Sequence, residues 1–346
     1  MSTNRQAVNE PVRSYESGSD DRKNLQIKYD QMAIEVVEIP LIIGGKKVTT
    51  KQQGQCVMPH DHQHVLGNFH MAGENEVSEA IESSMLAWNT WSKTSLEERT
   101  KVFRKAAELL QGPWRDTINA ATMLNQSKNA FQAEIDAACE LIDFFNFNCQ
   151  YAEDIHNNQP LISPEGVKNS LEYRPLEGFV FAITPFNFTS IAGNLPCAPA
   201  LMGNVAIWKP ASSAVLPCYY LMEMLKEAGL PDGVINFLPG SGSKVGDPVL
   251  INPNLSGVHF TGSTQTFQHI WKTIGKNIDR YKTYPRIVGE TGGKDFCLAH
   301  ESVNIDELAT AMIRGAFEFQ GQKCSAMSRA YIPTNVWEKL KSTYLS

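Results

Sequence analysis

The chain has 346 residues, 42% of them hydrophobic and 20% charged, with 31 Lys and Arg against 37 Asp and Glu for a net charge of −6. That is the make-up of an ordinary globular protein with about two domains. The acidic balance argues against nucleic-acid binding through a basic surface, and no apolar run of ~18 residues predicts a transmembrane helix.

Residues 1–40 are polar and read as an extended arm. Arg5, Arg13, Arg22 and Lys23 are matched there by Glu10, Glu16, Asp20 and Asp21, so no acid-poor mitochondrial presequence is visible. Short apolar runs in 41–70, broken by Gly44, Gly45, Gly54, Pro59 and Gly67, predict hairpins. His60, Asp61, His62 and His64 in that stretch have the alternation of a polar turn rather than metal-ligand spacing.

A helical region follows. Ala80, Ile81, Met85 and Trp88 recur at helical spacing, and Ser95 with Glu98 makes a capping box for a helix through Leu110. Phe131, Ile135, Ala138, Ile142 and Phe145 are expected on one buried helix face. From residue 178 the pattern changes to short buried strands at Phe179–Thr184, Val205–Trp208, Val234–Leu238, Val258–Thr261 and Arg286–Val288. Helices near 218–228, 243–251 and 264–278 lie between them. Such alternation predicts parallel βαβ units with ligands at the strand C-terminal ends. Strands near 295–299 and 329–332 bracket a helix near 305–319 and begin a second α/β domain.

Four motifs stand at these strand ends. Thr184-Pro185-Phe186-Asn187-Phe188 places an amide where it can meet a developing oxyanion, although alone it is a plain turn. Trp208-Lys209-Pro210 puts an ammonium in the strand-end crevice, suited to ribose hydroxyls or phosphate. Phe260-Thr261-Gly262-Ser263-Thr264 is a strand-to-helix turn of small residues that lets a pyrophosphate approach a helix N-terminus, and the Gly-x-Gly-x-x-Gly pattern is absent.

The fourth is a pair, Glu290-Thr291-Gly292-Gly293-Lys294 and Gln320-Gly321-Gln322-Lys323-Cys324. A thiol next to a lysine is expected to have a lowered pKa, and a glutamate can deprotonate water attacking a thioester. Most of the seven cysteines read as core thiols. With no Cys-x-x-Cys, a disulfide framework is unexpected and a reducing compartment fits.

In order and spacing these motifs resemble the aldehyde dehydrogenase superfamily, with Glu290 preceding Cys324 by 34 positions (324 − 290). The segments Met58–Gly67, Ala121–Phe145, Leu176–Pro210, Gly289–Lys294 and Phe317–Ser325 are similar to its delta-1-pyrroline-5-carboxylate dehydrogenase subfamily, a likeness running from about Asn9 to the end of the chain.

The resemblance implies an α/β fold with a Rossmann-type NAD domain over 1–159 and 179–292, an oligomerisation β-flap segment at 160–178, and a catalytic α/β domain starting at 293. It implies Cys324 as nucleophile, Glu290 as base and Asn187 as oxyanion donor. Thr184, Lys209 and the turn Gly262, Ser263, Thr264, Gln265 and Thr266 would bind NAD. Glu140, Phe188, Lys323 and Ser325 would contact the substrate.

The implied reaction is oxidation of L-glutamate 5-semialdehyde to L-glutamate by NAD in proline degradation. The implied protein is a homo-oligomer that takes a small aldehyde, with no metal, in the mitochondrial matrix or otherwise the cytoplasm. The family's catalytic domain runs on well beyond Ser346, so the chain reads as C-terminally truncated and is expected to be inactive by itself. The competing readings are a non-catalytic chain with a binding or regulatory role, a thiol hydrolase or acyltransferase, and a related acyl-phosphate reductase using NADPH.

Overall fold

The structure is a computed structural model and describes residues 6–345. Residues 6–15 run extended along the protein, as the arm reading expects. Helix α1 (Asp20–Ile34) then corrects that reading for the rest of the segment. The helix starts where the Ser19 side chain accepts from the Arg22 amide, and it buries Leu25 and Met32.

The arm itself is pinned. Ala7 N donates to Gln150 Oε1 (2.7 Å), Glu10 N to Asp143 Oδ1 (2.7 Å) and Arg13 N to Glu134 Oε1 (2.9 Å), and Tyr15 Oη donates to Glu134 Oε2 (2.8 Å). Arg115, buried, pairs with both Glu134 and Glu10. Breaking a buried pair by removing one partner leaves an uncompensated charge. Arg115→Met is therefore expected to lower stability by about 3–5 kcal/mol in urea unfolding. The double variant Arg115→Met/Glu134→Leu should recover most of that loss, and no recovery would contradict the charge argument.

Strands β1 (Val37–Ile39), β2 (Leu41–Ile43), β3 (Lys46–Val48), β4 (Gln53–Met58) and β5 (Asp61–His70) follow. As predicted, β2 and β3 form a hairpin, turned by Gly44 and Gly45 at φ 56° and 73°, and β4 pairs antiparallel with β5. In the β4–β5 region His60 Nδ1 meets Ser127 Oγ (2.7 Å), and among the described residues no group of three or more His, Cys, Asp or Glu could hold a metal ion.

Helices α2 (Glu74–Trp91), α3 (Leu96–Gln111) and α4 (Arg115–Gln126) come next, α3 opening with the expected Ser95–Glu98 capping box. Helix α5 (Ala130–Ala133) passes through a π-helical turn at Glu134–Cys139 into α6 (Glu140–Asn157). That turn corrects the single-face reading of 131–145. Its wider winding shifts the phase, so Ala138, Ile142 and Phe145 are buried while Phe131 is exposed and Ile135 half-buried. Residues 160–178 contain no strand, and Leu161, Ile162, Val167 and Leu171 along them are exposed.

The core sheet is built from β6 (Phe179–Ile183), β7 (Val205–Lys209), β8 (Ile235–Phe237), β9 (Leu255–Thr261) and β10 (Arg286–Glu290), joined at one side by β2 and β3. Its order is β10-β9-β6-β7-β8-β2-β3. The pairs β6–β7, β6–β9 and β7–β8 are parallel and β2–β8 is antiparallel. The near-continuous burial of β6, β7 and β9 is what a parallel sheet covered on both faces requires. Helices α7 (Thr189–Leu201), α8 (Val215–Glu227), α9 (Asp247–Leu250) and α10 (Thr264–Lys276) connect the strands.

Helix α7 was not predicted, because Pro196 and Pro199 lie inside it. With proline at 199, the Leu195 carbonyl has no amide four residues on, and His259 Nδ1–H donates to it instead (2.9 Å). At the helix end, Trp91 Nε1 and Arg99 Nε donate to the Ala200 and Leu201 carbonyls (2.8 Å each).

By internal contacts the chain divides into two compact units. The first runs to Thr261 and includes Thr266–Gly289; the second is Gly262–Gln265 with the residues from Glu290 on. The second holds β11 (Phe296–Leu298) parallel to β12 (Arg329–Tyr331), with α11 (Ile305–Phe317) and α12 (Thr334–Leu345). Its own small core is Ala299, Leu308, Ala309, Met312, Val336 and Leu340.

Candidate active site

In the second unit, Cys324 follows a short 3-10 turn, Glu318–Gly321, in which Phe319, Gln320 and Gly321 all have positive φ (51°, 55° and 70°). Two non-glycine residues in the left-handed region store strain, as loops that aim a reactive side chain commonly do. Buried Phe319 anchors the turn. Half-buried Cys324 then donates its Sγ–H to Glu290 Oε1 at 3.2 Å, so thiol and carboxylate predicted from separate motifs meet directly. Glu290 ends β10, and its main-chain carbonyl accepts from Gly262 N (3.1 Å).

The expected lowering of the Cys324 pKa by its neighbouring lysine is corrected. The thiol lies above its ordinary value, first because of burial and then because of the bond to, and charge of, Glu290; the Ser325 and Cys324 amides pull the other way. Lys323 instead sets its ammonium 3.6 Å from Glu318 Oε2. Next to a carboxylate the sulfur keeps its proton until the carboxylate takes it, an arrangement suited to a base-activated nucleophile. Glu290→Gln should therefore lower the Cys324 pKa and speed its alkylation at pH 7–8. A pKa lower by one raises the thiolate fraction about tenfold. Iodoacetamide rates read against pH by peptide mass spectrometry check this, and a slower or unchanged rate would reject the assignment. Ser325 is exposed beside Cys324.

In the first unit, Asn187 and Phe188 follow β6 and lead into α7. Asn187 is half-buried and Phe188 buried. The Asn187 carbonyl accepts from Lys128 Nζ, whose ammonium also lies 4.5 Å from the centre of the Phe188 ring. Glu140, at the first turn of α6, accepts from Ser190 Oγ. Sequence reasoning missed Lys128, Asp136 and Ser190. No motif in the sequence marks Lys128; in the structure it follows Ser127, which has a positive φ of 56°.

Thr184 is buried at the end of β6, where its hydroxyl accepts from Trp208 Nε1 (3.1 Å) and its amide donates to the Lys209 carbonyl (3.2 Å). Lys209 is buried at the end of β7, its ammonium donating to the Pro210 carbonyl (3.1 Å), and burial pulls its pKa down to about 8. A desolvated ammonium at a strand end is poised for an oxygen-rich ligand, which fits the ribose of a dinucleotide. The turn Gly262–Ser263 leads into α10, with Thr264, Gln265 and Thr266 exposed in its first turn. At the N-terminus of a thirteen-residue helix, the helix dipole favours an anion such as pyrophosphate.

The aldehyde dehydrogenase family model matches residues 47–346, and the chain belongs to that family. It is 49% identical over 336 residues to the mitochondrial delta-1-pyrroline-5-carboxylate dehydrogenase of Dictyostelium discoideum, covering 96% of this chain and 60% of the relative. It is 47% identical over 339 residues to the delta-1-pyrroline-5-carboxylate dehydrogenase of Agaricus bisporus, covering 97% and 62%.

The crystal structure of the Mycobacterium tuberculosis delta-pyrroline-5-carboxylate dehydrogenase bound with NAD superposes with a TM-score of 0.96 at 51% identity, over 98% of this chain and 64% of that one. A 1-pyrroline-5-carboxylate dehydrogenase from Thermus with bound NAD gives 0.93 at 30% identity, over 98% and 66%. The mixed α/β fold is thus that of the aldehyde dehydrogenases. The chain spans about 60% of the length of the curated relatives it matches.

Proposed function

We propose that the protein oxidises L-glutamate 5-semialdehyde to L-glutamate with NAD, the step that closes proline degradation. The observation that carries this is the Cys324 Sγ to Glu290 Oε1 hydrogen bond of 3.2 Å within a chain of this family. Relatives at 49% and 47% identity bear the pyrroline-5-carboxylate dehydrogenase name, and two similar structures hold NAD.

In this reading Glu290 takes the Cys324 proton and the thiolate adds to the aldehyde carbon, giving a thiohemiacetal. The Asn187 side-chain amide is the donor assigned to its oxyanion, a part that rests on the resemblance of Thr184–Phe188 to the family motif. Lys209 and Thr184 are the residues of the sheet that would hold NAD, which when bound supplies the hydride acceptor. Loss of hydride leaves a thioester on Cys324. Once Glu290 has passed the Cys324 proton to solvent it removes a proton from water, whose oxygen attacks the thioester; the thiolate leaves with the carbon–sulfur bonding pair, takes that proton from Glu290, and glutamate is freed.

Glu140, Phe188, Lys323 and Ser325 are proposed substrate contacts. The exposed segment 160–178 is proposed as the oligomerisation arm, and the mitochondrial matrix, as in the name of the Dictyostelium relative, as the compartment. No helix among the described residues is long and apolar enough to cross a membrane.

A single-turnover experiment tests the reaction. With the chain in excess over glutamate semialdehyde and NAD saturating, NADH formed in proportion to the aldehyde and lost in Cys324→Ser would bear the reaction out and overturn the expectation that the chain is inactive by itself. NADH formation that survives Cys324→Ser would refute the mechanism. A persistent acyl-enzyme in Glu290→Gln, trapped by mass spectrometry, would identify the glutamate with the hydrolytic half.

A further inference from the structure

We propose that Lys128, locked by Asp136, is a positioning residue that fixes the Asn187-Phe188 peptide and thereby aims the Asn187 amide. The proposal rests on the reading of Asn187 as oxyanion donor given above.

Lys128 and Asp136 form the most deeply buried ion pair of the described residues apart from Arg115–Glu134. Nζ and Oδ2 are 2.7 Å apart, with side-chain exposures of 0% and 4%. Such a pair seldom stabilises a fold relative to well-packed apolar residues, since desolvating two charges offsets their attraction. Arg115 and Glu134 tie down the N-terminal arm. Lys128 ties down something else: its ammonium donates to the Asn187 carbonyl and sits over the Phe188 ring, 4.5 Å from its centre.

The peptide after Asn187 thus has one side held by a charge-assisted hydrogen bond and the next ring held by a cation–π contact. Immediately beyond, Thr189 Oγ1 is gripped by Thr122 Oγ1 and Gln126 Nε2, both at 2.8 Å and all buried. Residues 122, 126, 128 and 136 therefore form a polar floor under 187–189, in which Lys128 is the member bonded to Asn187 itself. A donor fixed before charge develops needs no reorganisation when it does.

Two reactions of the same thiol separate positioning from folding. In acylation by 4-nitrophenyl acetate, the Cys324 sulfur adds to the ester carbonyl, and nitrophenolate leaves with the carbon–oxygen bonding pair after a tetrahedral oxyanion. In alkylation by iodoacetamide, sulfur displaces iodide and no oxyanion forms. Both are followed on the full chain at the Cys324 peptide by mass spectrometry.

Lys128→Met is expected to slow acylation roughly ten- to hundredfold, as a mis-aimed donor should. Alkylation should stay within about twofold, as a step without an oxyanion should. Lys128→Met/Asp136→Leu, which leaves no lone buried carboxylate, is expected to show the same selective loss with native thermal stability. It decides the question if the single variant does not fold.

Asn187→Ala run in parallel tells the two readings apart. If it slows acylation selectively while both Lys128 variants do not, the positioning role is wrong and Asn187 stands. If Asn187→Ala leaves acylation unchanged, the oxyanion reading fails and the positioning role falls with it. Equal losses of acylation and alkylation in the Lys128 variants would reduce Lys128 to a structural residue and overturn the proposal.

Discussion

Lys209→Met is expected to make the protein more stable and worse at binding NAD. Lys209 is buried at the end of β7 with the Pro210 carbonyl as hydrogen-bond acceptor, and burial lowers its pKa from 10.5 to about 8. The sign follows from proton counting. Between pH 8 and 10.5 the unfolded chain holds this proton and the folded chain has lost it, so stability rises with pH across that window. Below pH 8 the penalty for keeping a buried ammonium is complete. A depression of that size corresponds to at most about 3 kcal/mol.

Methionine fills the same channel without the charge, so the variant should melt several degrees higher at neutral pH, and the difference should shrink toward pH 10. At the same time NAD affinity, read by protein fluorescence, should fall at least about tenfold through loss of a charge-assisted contact. An unchanged melting temperature would remove the desolvation argument. Undiminished NAD binding would remove Lys209 from the cofactor site.

The parts of this fold that could be read from sequence are those where burial is complete and the period short. Strand β6 is apolar throughout, β7 is apolar up to Lys209, and β9 is buried almost end to end although it carries Ser256 and His259, because a parallel sheet covered on both faces leaves them no solvent-facing side. Their motifs could be placed at strand ends for the same reason. What escaped was decided by tertiary contacts. Helix α7 contains two prolines, and it persists because His259, Trp91 and Arg99 take up carbonyls at Leu195, Ala200 and Leu201. The face of 131–145 was misread because a π-helical turn carries no signature in a 3.6-residue period. Helix α1 is largely polar, and Leu25 and Met32 are its two fully buried residues.

The proposed site was legible in the pairing of Cys324 with Glu290 and illegible in its supports. Cys324 and Glu290 stand in motifs with recognisable company, and the structure brings them to 3.2 Å. The electrostatics of the thiol could not be read from adjacency. Lys323 is next in the chain but directs its ammonium to Glu318, whereas burial first, and then Glu290, distant in sequence, raise the pKa of the thiol. Lys128 and Asp136 are eight positions apart and look like ordinary surface charges until the fold closes over them.

Gly293→Ala is expected to disable Cys324 without touching either reactive group. A Cβ at Gly293 would lie 1.5 Å from the Cys324 main-chain oxygen and 2.7 Å from Asp295 Oδ2. The first contact is with backbone, so the strand of chain that carries the nucleophile must move. That strand is already strained, with Phe319 and Gln320 in the left-handed region, and its route to relief is to let the loop relax outward. The Cys324–Glu290 hydrogen bond would lengthen, and two of the causes that hold the thiol pKa up would weaken together.

Alkylation of Cys324 should accordingly titrate at lower pH than in the unaltered chain, while acylation by 4-nitrophenyl acetate falls on the order of a hundredfold, the usual effect of a displacement of about 1 Å. The two readouts move in opposite senses, and general unfolding would not reproduce that pattern with the cores of both units still cooperative in thermal melting. If Gly293→Ala acylates at the original rate, the close approach of Gly293 to the Cys324 carbonyl is not what sets the nucleophile in place.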